Sequence, residues 1–426
     1  MAKRGKAAIE VVSTAFLSLG KSMARSLGHP ELPMAIVPHP FGVRRREEVR
    51  QMAEKCVDDI ARLACESVPE TVVSAPSPVK RATPFATPGD LRAINKLFIE
   101  RRWGDGLPVI PPTVDAVEEM LRHTHRAPDE IVARVAPALG AATVEHIAIN
   151  AVIAGCDPAH LPVLIAATEA VAAPEFNLQS LQATTHPVAV WLIVNGPIVN
   201  RLCINAGANC LGQGAHANAT LGRALRLILQ NIGGALPGEM DRSTHGQPGK
   251  FTFCCAENED MNPWEPLHVE RGFARTASTV TVVGAGSLLN NTILTQHADD
   301  LLRVIADTMA HPSSNDYWFG GAPWIVFSPE HAAVLHRAGL NKLDVKRRLW
   351  HESKMAAGRM AREDLVRTQA ARVSELGEIG PDTMLPISPT PEEISVIVAG
   401  GAGTHTIYVP SFGPTRAITR EVIFAA

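Results

Sequence analysis

One short stretch, CCAENEDMNPWEPLHVER, combines thiol, carboxylate and imidazole side chains between a glycine turn and an aromatic residue. Its candidate catalytic residues are Cys254, Glu257, Glu265 and His268. Carboxylates and imidazole act as general acid and base, and a thiolate near a cation acts as a nucleophile. The alternating pattern of KFTFCC before it predicts a strand, so the two adjacent cysteines should point to opposite faces.

The same side chains form an alternative metal set. Glu257, Glu265 and His268 offer the oxygen and nitrogen ligands with which a divalent cation supports hydration, elimination or hydrolysis. An irregular surface loop with solvated charges is the structural alternative. The sequence therefore leaves the cofactor open between none and a divalent metal.

A glycine-rich loop before a helix is a candidate anion site. The segment CINAGANCLGQGAHANATLG leads into a helix that should begin near Asn218 or Thr220. Backbone N–H groups at a helix start bind anions, although no Gly-Lys-Ser/Thr follows as in a Walker A loop. The segment predicts a site for the carboxylate or phosphate of a small substrate, or else a turn capped by asparagines. The candidate contacts are Asn209, Gly212, Gly214, His216 and Asn218.

Four more candidate substrate contacts lie elsewhere in the chain. His39 stands between prolines at a predicted strand end, and Asp105 lies in the rigid, proline-rich segment RRWGDGLPVIPPT. His186 precedes the buried strand predicted for PVAVWLIVNGPI, and Asn195 follows it. Residues at the carboxyl ends of strands line ligand sites in α/β folds.

The elements that must position these residues predict an α/β fold. The first segments read β-α-β-α, which is typical of a parallel sheet, and a larger α/β or α+β domain follows. We predict four parts. They are residues 1–66, a partial parallel-sheet unit; 67–89, a linker rich in Pro, Ser, Thr and Ala; 90–273, the main substrate-binding domain; and 274–426, a C-terminal α/β region packed on it.

Several C-terminal segments have clear predictions. TVTVVGAG and APWIVFS should be strands, and Ser328 should cap a helix that ends at Gly339. The segment VKRRLWHESKMAAGRMAREDLVRTQ should form one polar helix. EISVIVAGGAGTHTIYVPSFG should form a strand, a glycine loop and a second strand.

Composition excludes several classes of function. The 426 residues are 46% hydrophobic and 19% charged, with a net charge of -3, so no charged field recruits nucleic acid or a membrane surface. Aromatic residues are 5%, too few for a base-stacking platform. No apolar run has the length of a membrane helix. The seven cysteines lack zinc-site spacing and indicate reduced thiols in the cytoplasm.

The segment STAFLSLGKSMARSLGHPELPMAIVPHPFGVRRREEV resembles the C-terminal half of a small domain in a bacterial family. That family is named for its UGSC motif, in which U is selenocysteine or cysteine. The segments DGLPVIPPT, FCCAENEDMNPWEPLHVERGF and IVAGGAGTH are similar to long proteins associated with the family. The resemblance implies redox or thiol-addition chemistry on a small molecule, although the sequence contains neither UGSC nor CGSC.

On this resemblance, residues 1–66 are expected to be half of a domain. A separate small chain with a CxxC or UxxC motif would supply the missing strands, because an exposed sheet edge invites pairing. The leading hypothesis is the large subunit of an oligomeric, two-chain, thiol- or selenol-dependent oxidoreductase or lyase that acts on a small anionic substrate. The alternatives are a metal-dependent hydratase, lyase or hydrolase, and a non-catalytic scaffold subunit. No nucleic-acid or membrane partner is expected.

Overall fold

The computed structural model describes residues 8–41, 44–66, 81–87 and 89–424. The first elements form a small unit with β1 (Glu10–Ser13), α1 (Leu17–Ser26), β2 (Met34–Val37) and α2 (Arg46–Cys65). The two strands pair in parallel, which confirms the predicted β-α-β-α order. Helix α2 covers one face of the sheet through a small core of its own.

The middle of the chain is mainly helical, with two short hairpin strands and two strands that enter a sheet. Its helices are α3 (Leu91–Arg101), α4 (Val114–Leu121), α5 (Val144–Ala154), α6 (Leu161–Val171), α7 (Leu178–Ala183), α8 (Ile198–Arg201), α9 (His216–Asn231) and α10 (Leu267–Glu270). Its strands are β3 (Ile131–Val135), β4 (Gly140–Thr143), β5 (Ala189–Asn195) and β6 (Cys254–Ala256).

The last part of the chain alternates strands and helices. Its strands are β7 (Thr279–Ala285), β8 (Leu289–Thr292), β9 (Trp324–Phe327), β10 (Met355–Ala356), β11 (Met384–Leu385), β12 (Ser395–Val398), β13 (His405–Val409) and β14 (Ile418–Glu421). Its helices are α11 (Ala298–Met309), α12 (Asn315–Phe319), α13 (Pro329–Arg337), α14 (Lys342–Glu352) and α15 (Arg362–Leu376). The mixed α/β class predicted from the sequence is confirmed.

Two four-stranded sheets pack face to face between helical layers. One sheet has the order β14-β7-β5-β6 and the other β12-β9-β13-β8. Along β5, Trp191 and Ile193 point to the second sheet, whereas Leu192 and Val194 point to helices α5, α6 and α9. This alternation fills both cores from one strand, and it explains why the strand sequence is apolar throughout.

The first sheet draws strands from both predicted blocks of the chain. Strands β7 and β14 come from the predicted 274–426 region and pair with each other, and β7 also pairs with β5 from the predicted 90–273 domain. The domain limits stay a prediction. Of the predicted linker, residues 67–80 and 88 lie outside the described part, and Arg81 forms ion pairs with Glu118 and Glu145.

The N-terminal unit contacts the remainder through a few polar and aromatic groups. The Ser18 hydroxyl donates to the Glu239 carbonyl (3.2 Å), and the Ser26 hydroxyl donates to the Ala138 carbonyl (2.7 Å). The Arg242 guanidinium lies 5.9 Å from the Phe16 ring centre. These contacts join the described part of the N-terminal unit to residues 138–242 of the helical middle of the chain.

The predicted C-terminal elements are confirmed with one exception. Ser328 caps α13 by accepting from the His331 N–H, and Gly339 follows the end of that helix. The segment predicted as one polar helix is wrong, because it forms α14 and α15 with β10 between them. Strand β10 pairs with the distant β11, and this long-range pairing interrupts the helix.

A helix that crosses a membrane must be both long and apolar. Among the described residues, no single helix could cross a membrane by these two measures. One bent pair, Pro158–Val171 with Pro174–Ala183, meets them only when its two parts are taken together.

Candidate functional site

Three strand ends meet at one edge of the two sheets. Strands β5 and β6 are parallel, so their carboxyl ends lie side by side. The loop after β6 is joined to the end of β12, because the Asn258 N–H donates to the Val398 carbonyl (2.7 Å). The Asn258 side chain also donates to the Gly400 carbonyl (3.3 Å). We call this region the carboxyl-edge site and define it by Asn195, Glu257, Glu259, Asn262 and His268.

Asn195 is the last residue of β5 and links the two carboxylates. Its buried amide nitrogen donates to Glu257 Oε2 (2.6 Å) and to Glu259 Oε1 (3.0 Å). The chain then turns at Gly196, whose φ is 84° and whose N–H donates to the same Glu259 oxygen (2.7 Å). A Cβ at Gly196 would lie 2.1 Å from the Ala277 carbonyl oxygen, so this approach requires glycine.

Glu257 is buried and accepts three hydrogen bonds. Besides Asn195, the Asn262 side chain donates to Oε1 (2.8 Å) and the Leu267 N–H donates to Oε2 (2.7 Å). Burial raises the pKa of Glu257 despite these donors and the nearby Lys342 ammonium. A carboxyl group with a raised pKa in a polar cluster is suited to hold or release a proton.

Glu259 and His268 face each other across a short gap. His268 lies in α10, is fully buried, and its Nε2 contacts the Arg275 carbonyl at 3.3 Å. A carbonyl can only accept, so Nε2 carries a proton and Nδ1 faces Glu259 Oε1 at 3.7 Å. Within the described chain, His268 Nδ1 and Asn195 Oδ1 are both buried without a hydrogen-bond partner.

His268 and Glu259 are placed to form an ion pair when the imidazole is protonated. At 3.7 Å the two atoms are too far apart for a direct hydrogen bond and too close together for another group to lie between them. Because the Glu259 side chain retains 25% of its exposure, it connects the buried imidazole to solvent.

The predicted glycine-rich loop borders the same edge. The Ala256 N–H donates to the Asn205 carbonyl (3.2 Å), which ties the loop to the end of β6. Asn218 is buried and holds the loop in shape, because its amide contacts Asn205 N, Asn205 O and Cys210 O at 2.8–3.0 Å. Its predicted role as a substrate contact is therefore corrected: its side chain is already engaged by backbone groups.

The other predicted residues of this loop are exposed. Helix α9 begins at His216, slightly before the predicted start, and no side chain caps it. The His216 imidazole lies 3.6 Å from the Asp157 carboxylate, and the Asn209 side chain donates to the Gln213 carbonyl (2.7 Å). The role of these exposed residues in anion binding stays a prediction for Asn209, Gly212, Gly214 and His216.

Cys254 requires a correction. The prediction that it and Cys255 point to opposite faces is confirmed, since the two belong to different cores. Cys254, however, lies among the apolar side chains of the helical layer, where burial raises the pKa of its thiol. Because the thiolate is the reactive form, this environment argues against a catalytic Cys254.

The alternative metal set is also corrected. The Glu265 side chain is exposed and lies outside the hydrogen-bond network that joins Glu257 to Asn195 and Asn262. Throughout the ranges that the structure describes, no group of three or more His, Cys, Asp or Glu side chains is arranged to hold a metal ion. Glu257, Glu265 and His268 therefore do not assemble into the predicted set, and Glu265 is not placed with the other catalytic candidates.

Three of the predicted substrate contacts lie away from the carboxyl-edge site. The Asp105 side chain is 6% exposed and forms a bidentate ion pair with Arg223 (2.7 and 2.9 Å), which anchors the proline-rich segment to α9. His186 precedes β5 and Asn195 ends it, so a seven-residue strand, about 20 Å long, separates them. His39 belongs to the N-terminal unit, where its Nδ1 contacts the Ser13 hydroxyl (3.1 Å).

Sequence reasoning assigned no role to Glu259 or Asn262. Strand alternation could not identify Glu259, because β6 ends at Ala256 and Glu259 begins a short 3-10 turn that ends at Met261.

The comparisons with known proteins concern the N-terminal unit. Residues 1–66 match the model of the UGSC family. The UGSC-matched unit therefore contains the β-α-β-α arrangement described above, and the match is consistent with a UGSC-family protein. No curated protein and no solved structure matches the chain. All seven cysteines of the chain, including Cys56 and Cys65 of this unit, are free thiols.

Proposed function

We propose that this chain is an enzyme that transfers protons on a small molecule bound at the carboxyl-edge site. The observation that carries the proposal is that two buried polar atoms beside Glu259, His268 Nδ1 and Asn195 Oδ1, have no hydrogen-bond partner among the described residues, and that His268 Nδ1 lies 3.7 Å from Glu259 Oε1. Buried polar atoms are normally paired, so such atoms in one cluster favour a ligand-binding or catalytic role. Glu259 exchanges protons with the substrate. His268 and Glu257 determine the electrostatic environment of the Glu259 carboxylate.

The proposed substrate is small and anionic. Its reacting end lies against Glu259, and its carboxylate or phosphate lies at the exposed loop that leads into α9. The support for this part is the uncapped start of α9, where backbone N–H groups and the positive end of the helix dipole favour an anion. The proposed class is a thiol- or selenol-dependent oxidoreductase or lyase, on the basis of the UGSC match.

Deuterium incorporation tests this proposal across many candidate substrates at once. The full chain is incubated in heavy water with a defined mixture of small carboxylates and phosphate esters, with and without a dithiol, and each compound is followed by mass spectrometry. We expect the wild type to transform or deuterate at least one compound. Glu259→Gln should lower that rate about 100-fold or more, as for loss of a general acid or base.

A carboxylate far from the site supplies the matched control. Glu100 is exposed on α3, so Glu100→Gln should retain the wild-type rate. Equal rates for the wild type and Glu259→Gln would contradict the proposed site. A wild type that transforms no compound under either condition would contradict the proposed substrate class.

We propose as a second function that the UGSC-matched unit docks a small chain. The support is its two-stranded parallel sheet, in which β1 and β2 pair only with each other among the described strands. Val11 and Ile36 are 53% and 46% exposed on these strands, although parallel sheets are normally covered on both faces. The partner would add strands carrying a CxxC or UxxC motif and make this chain the large subunit.

Native mass spectrometry of material purified from its native source tests the second proposal. We expect a stoichiometric small chain with such a motif, and we expect Ile36→Asp to remove it. Leu294 is 84% exposed elsewhere, so Leu294→Asp should retain the partner. A homo-oligomer or monomer with full activity would contradict this proposal, and would leave the carboxyl-edge proposal to its own test.

A further inference from the structure

A buried histidine that sequence reasoning left without a role lies beside the start of α9. His160 is 1% exposed and ends the short turn that leads into α6. Burial lowers the pKa of His160 to about 4, although the nearby Asp157 carboxylate acts in the opposite direction, so the imidazole is neutral at pH 7. The Asp157 N–H donates to His160 Nδ1 (3.2 Å). Because a backbone N–H can only donate, Nδ1 is the unprotonated nitrogen of the ring and Nε2 carries the proton.

The protein itself does not use this second ring nitrogen. Within the described ranges of the chain, the only side-chain hydrogen bond of His160 is the one at Nδ1, and Nε2 has no acceptor. Polar groups of deeply buried side chains are normally paired. An N–H group without an acceptor on a side chain that is 1% exposed therefore favours a bound ligand.

The first turn of α9 adds further donors next to His160. This helix has 16 residues, begins at His216 and has no side-chain cap. The N–H groups of His216, Ala217 and Asn218 donate to no group in the described part of the chain. The ring centres of His160 and His216 are 6.1 Å apart, and the side chain of a helical residue leans towards the N-terminal end of its helix. The imidazole N–H and the backbone N–H groups therefore lie around one small region.

One acceptor lies among these donors. The Asp157 carboxylate is 3.6 Å from His216 Nε2. The two side chains are 67% and 58% exposed, so solvent and small molecules reach this region. Asp157 would repel a phosphate dianion placed against the donors. A carboxylate whose neighbouring carbon bears an ammonium group would instead be attracted at both ends.

We propose that His160, Asp157 and the start of α9 bind the carboxylate and ammonium groups of a 2-amino acid. The carboxylate accepts from His160 Nε2 and from the free N–H groups of α9, where the positive end of the helix dipole also favours it. The ammonium group donates to the Asp157 carboxylate. The inference rests on the proposed proton-transfer function and narrows its substrate, through the carboxylate, to this class.

A short chain of hydrogen bonds joins the start of α9 to the carboxyl-edge site. Asn218 Oδ1, in the first turn of α9, accepts from the Asn205 N–H (2.8 Å). The Asn205 carbonyl in turn accepts from the Ala256 N–H (3.2 Å). Ala256 ends β6 and directly precedes Glu257. The region that binds the amino-acid head group and the region that holds the reacting groups are therefore structurally connected.

Ligand-observed NMR on the full chain tests the inference with matched probes. L-Alanine, L-aspartate and L-phenylalanine are each compared with the same molecule without its amino group, which is propionate, succinate or 3-phenylpropionate. We expect at least one amino acid to bind about 10-fold or more tighter than its partner, because the partner lacks a hydrogen bond between two charged groups.

Two substitutions separate the two ends of the head group. Asp157→Asn should abolish the preference for the amino acid over its partner, because the ammonium group loses its counter-charge. His160→Asn should weaken both members of a pair about 10-fold, since its side-chain oxygen keeps the bond to the Asp157 N–H and only the Nε2 donor is lost. Asp129 is exposed in the loop before β3, so Asp129→Asn is the matched control and should retain the wild-type affinities.

The inference is wrong if no amino acid binds more tightly than its partner, or if Asp157→Asn keeps the wild-type preference. Circular dichroism checks the fold of each variant, and the exposed Asp157 permits a test even if His160→Asn fails to fold. All of these measurements report binding, whereas the proton-transfer proposal is tested by turnover in Glu259→Gln. A preference for amino acids with unchanged turnover in Glu259→Gln would therefore contradict the proton-transfer proposal alone.

Discussion

Glu257→Gln should destabilise the protein even though it removes a buried charge. The wild-type carboxylate accepts three hydrogen bonds, with two at Oε2 and one at Oε1. A glutamine places its single oxygen at Oε2, so its NH₂ group must face the Asn262 nitrogen at the Oε1 position. Asn262 cannot turn its amide without loss, because its oxygen already accepts from the Trp264 N–H (3.0 Å).

The change in the free energy of unfolding follows from two opposing effects, the loss of hydrogen bonds and the removal of a buried charge. One charge-assisted hydrogen bond is lost and two donors are left facing each other, which costs about 2–4 kcal/mol. Removal of the charge returns part of the burial penalty that raises the pKa of Glu257. We expect the hydrogen-bond loss to dominate, because every polar contact of this carboxylate is with a donor, and we expect a net loss of about 2 kcal/mol.

Urea unfolding followed by tryptophan fluorescence measures this difference. The matched control is Glu259→Gln, in which the glutamine oxygen keeps both bonds at Oε1 and the nitrogen faces the more exposed side. Its stability should stay within about 1 kcal/mol of the wild type. If Glu257→Gln is as stable as the wild type or more stable, burial outweighs the donors and the reasoning about this cluster is refuted.

Two further predictions concern a buried carboxyl group and the loop before α9. Burial raises the pKa of Asp316 to about 6 from 3.8. The stability that the protonated carboxyl group contributes is therefore fully present below about pH 4 and is lost as the pH rises past about 6. Asp316→Asn should therefore remove up to about 3 kcal/mol of pH-dependent stability, seen as a flatter dependence of Tm on pH between about 4 and 7; an unchanged slope would contradict this. Asn218→Asp places a carboxylate oxygen against the carbonyls of Asn205 and Cys210. It should lower the free energy that stabilises the folded loop by about 2 kcal/mol. Faster proteolysis between residues 205 and 218 would support it, and unchanged cleavage would oppose it.

The sequence predicted helices and strands correctly where neighbouring residues determine the secondary structure. The apolar run of β5, the serine that caps α13 and the β-α-β-α order of the N-terminal unit are all read from neighbouring residues. The helix predicted across α14 and α15 failed for the opposite reason. Its polar periodicity continues through Met355 and Ala356, but pairing with the segment at Met384 outweighs local helix propensity.

The candidate site was predicted in part, since its residues come from one stretch and one strand end. Asn195, Glu257 and His268 do meet, because parallel strands bring their carboxyl ends together. Local pattern gives no reason to exclude Asp105, since its partner Arg223 is distant in sequence. For His186, the strand length alone places it at the opposite end of β5 from Asn195.

The cysteines show where a sequence argument stops. Alternation along β6 predicts that Cys254 and Cys255 point to opposite faces of the sheet. It does not indicate which face offers a hydrogen-bond donor that would stabilise a thiolate. Cys254 lies among apolar side chains of distant segments, where burial raises the pKa of its thiol. A thiol acquires reactivity from charges and donors around it and not from its place in a motif.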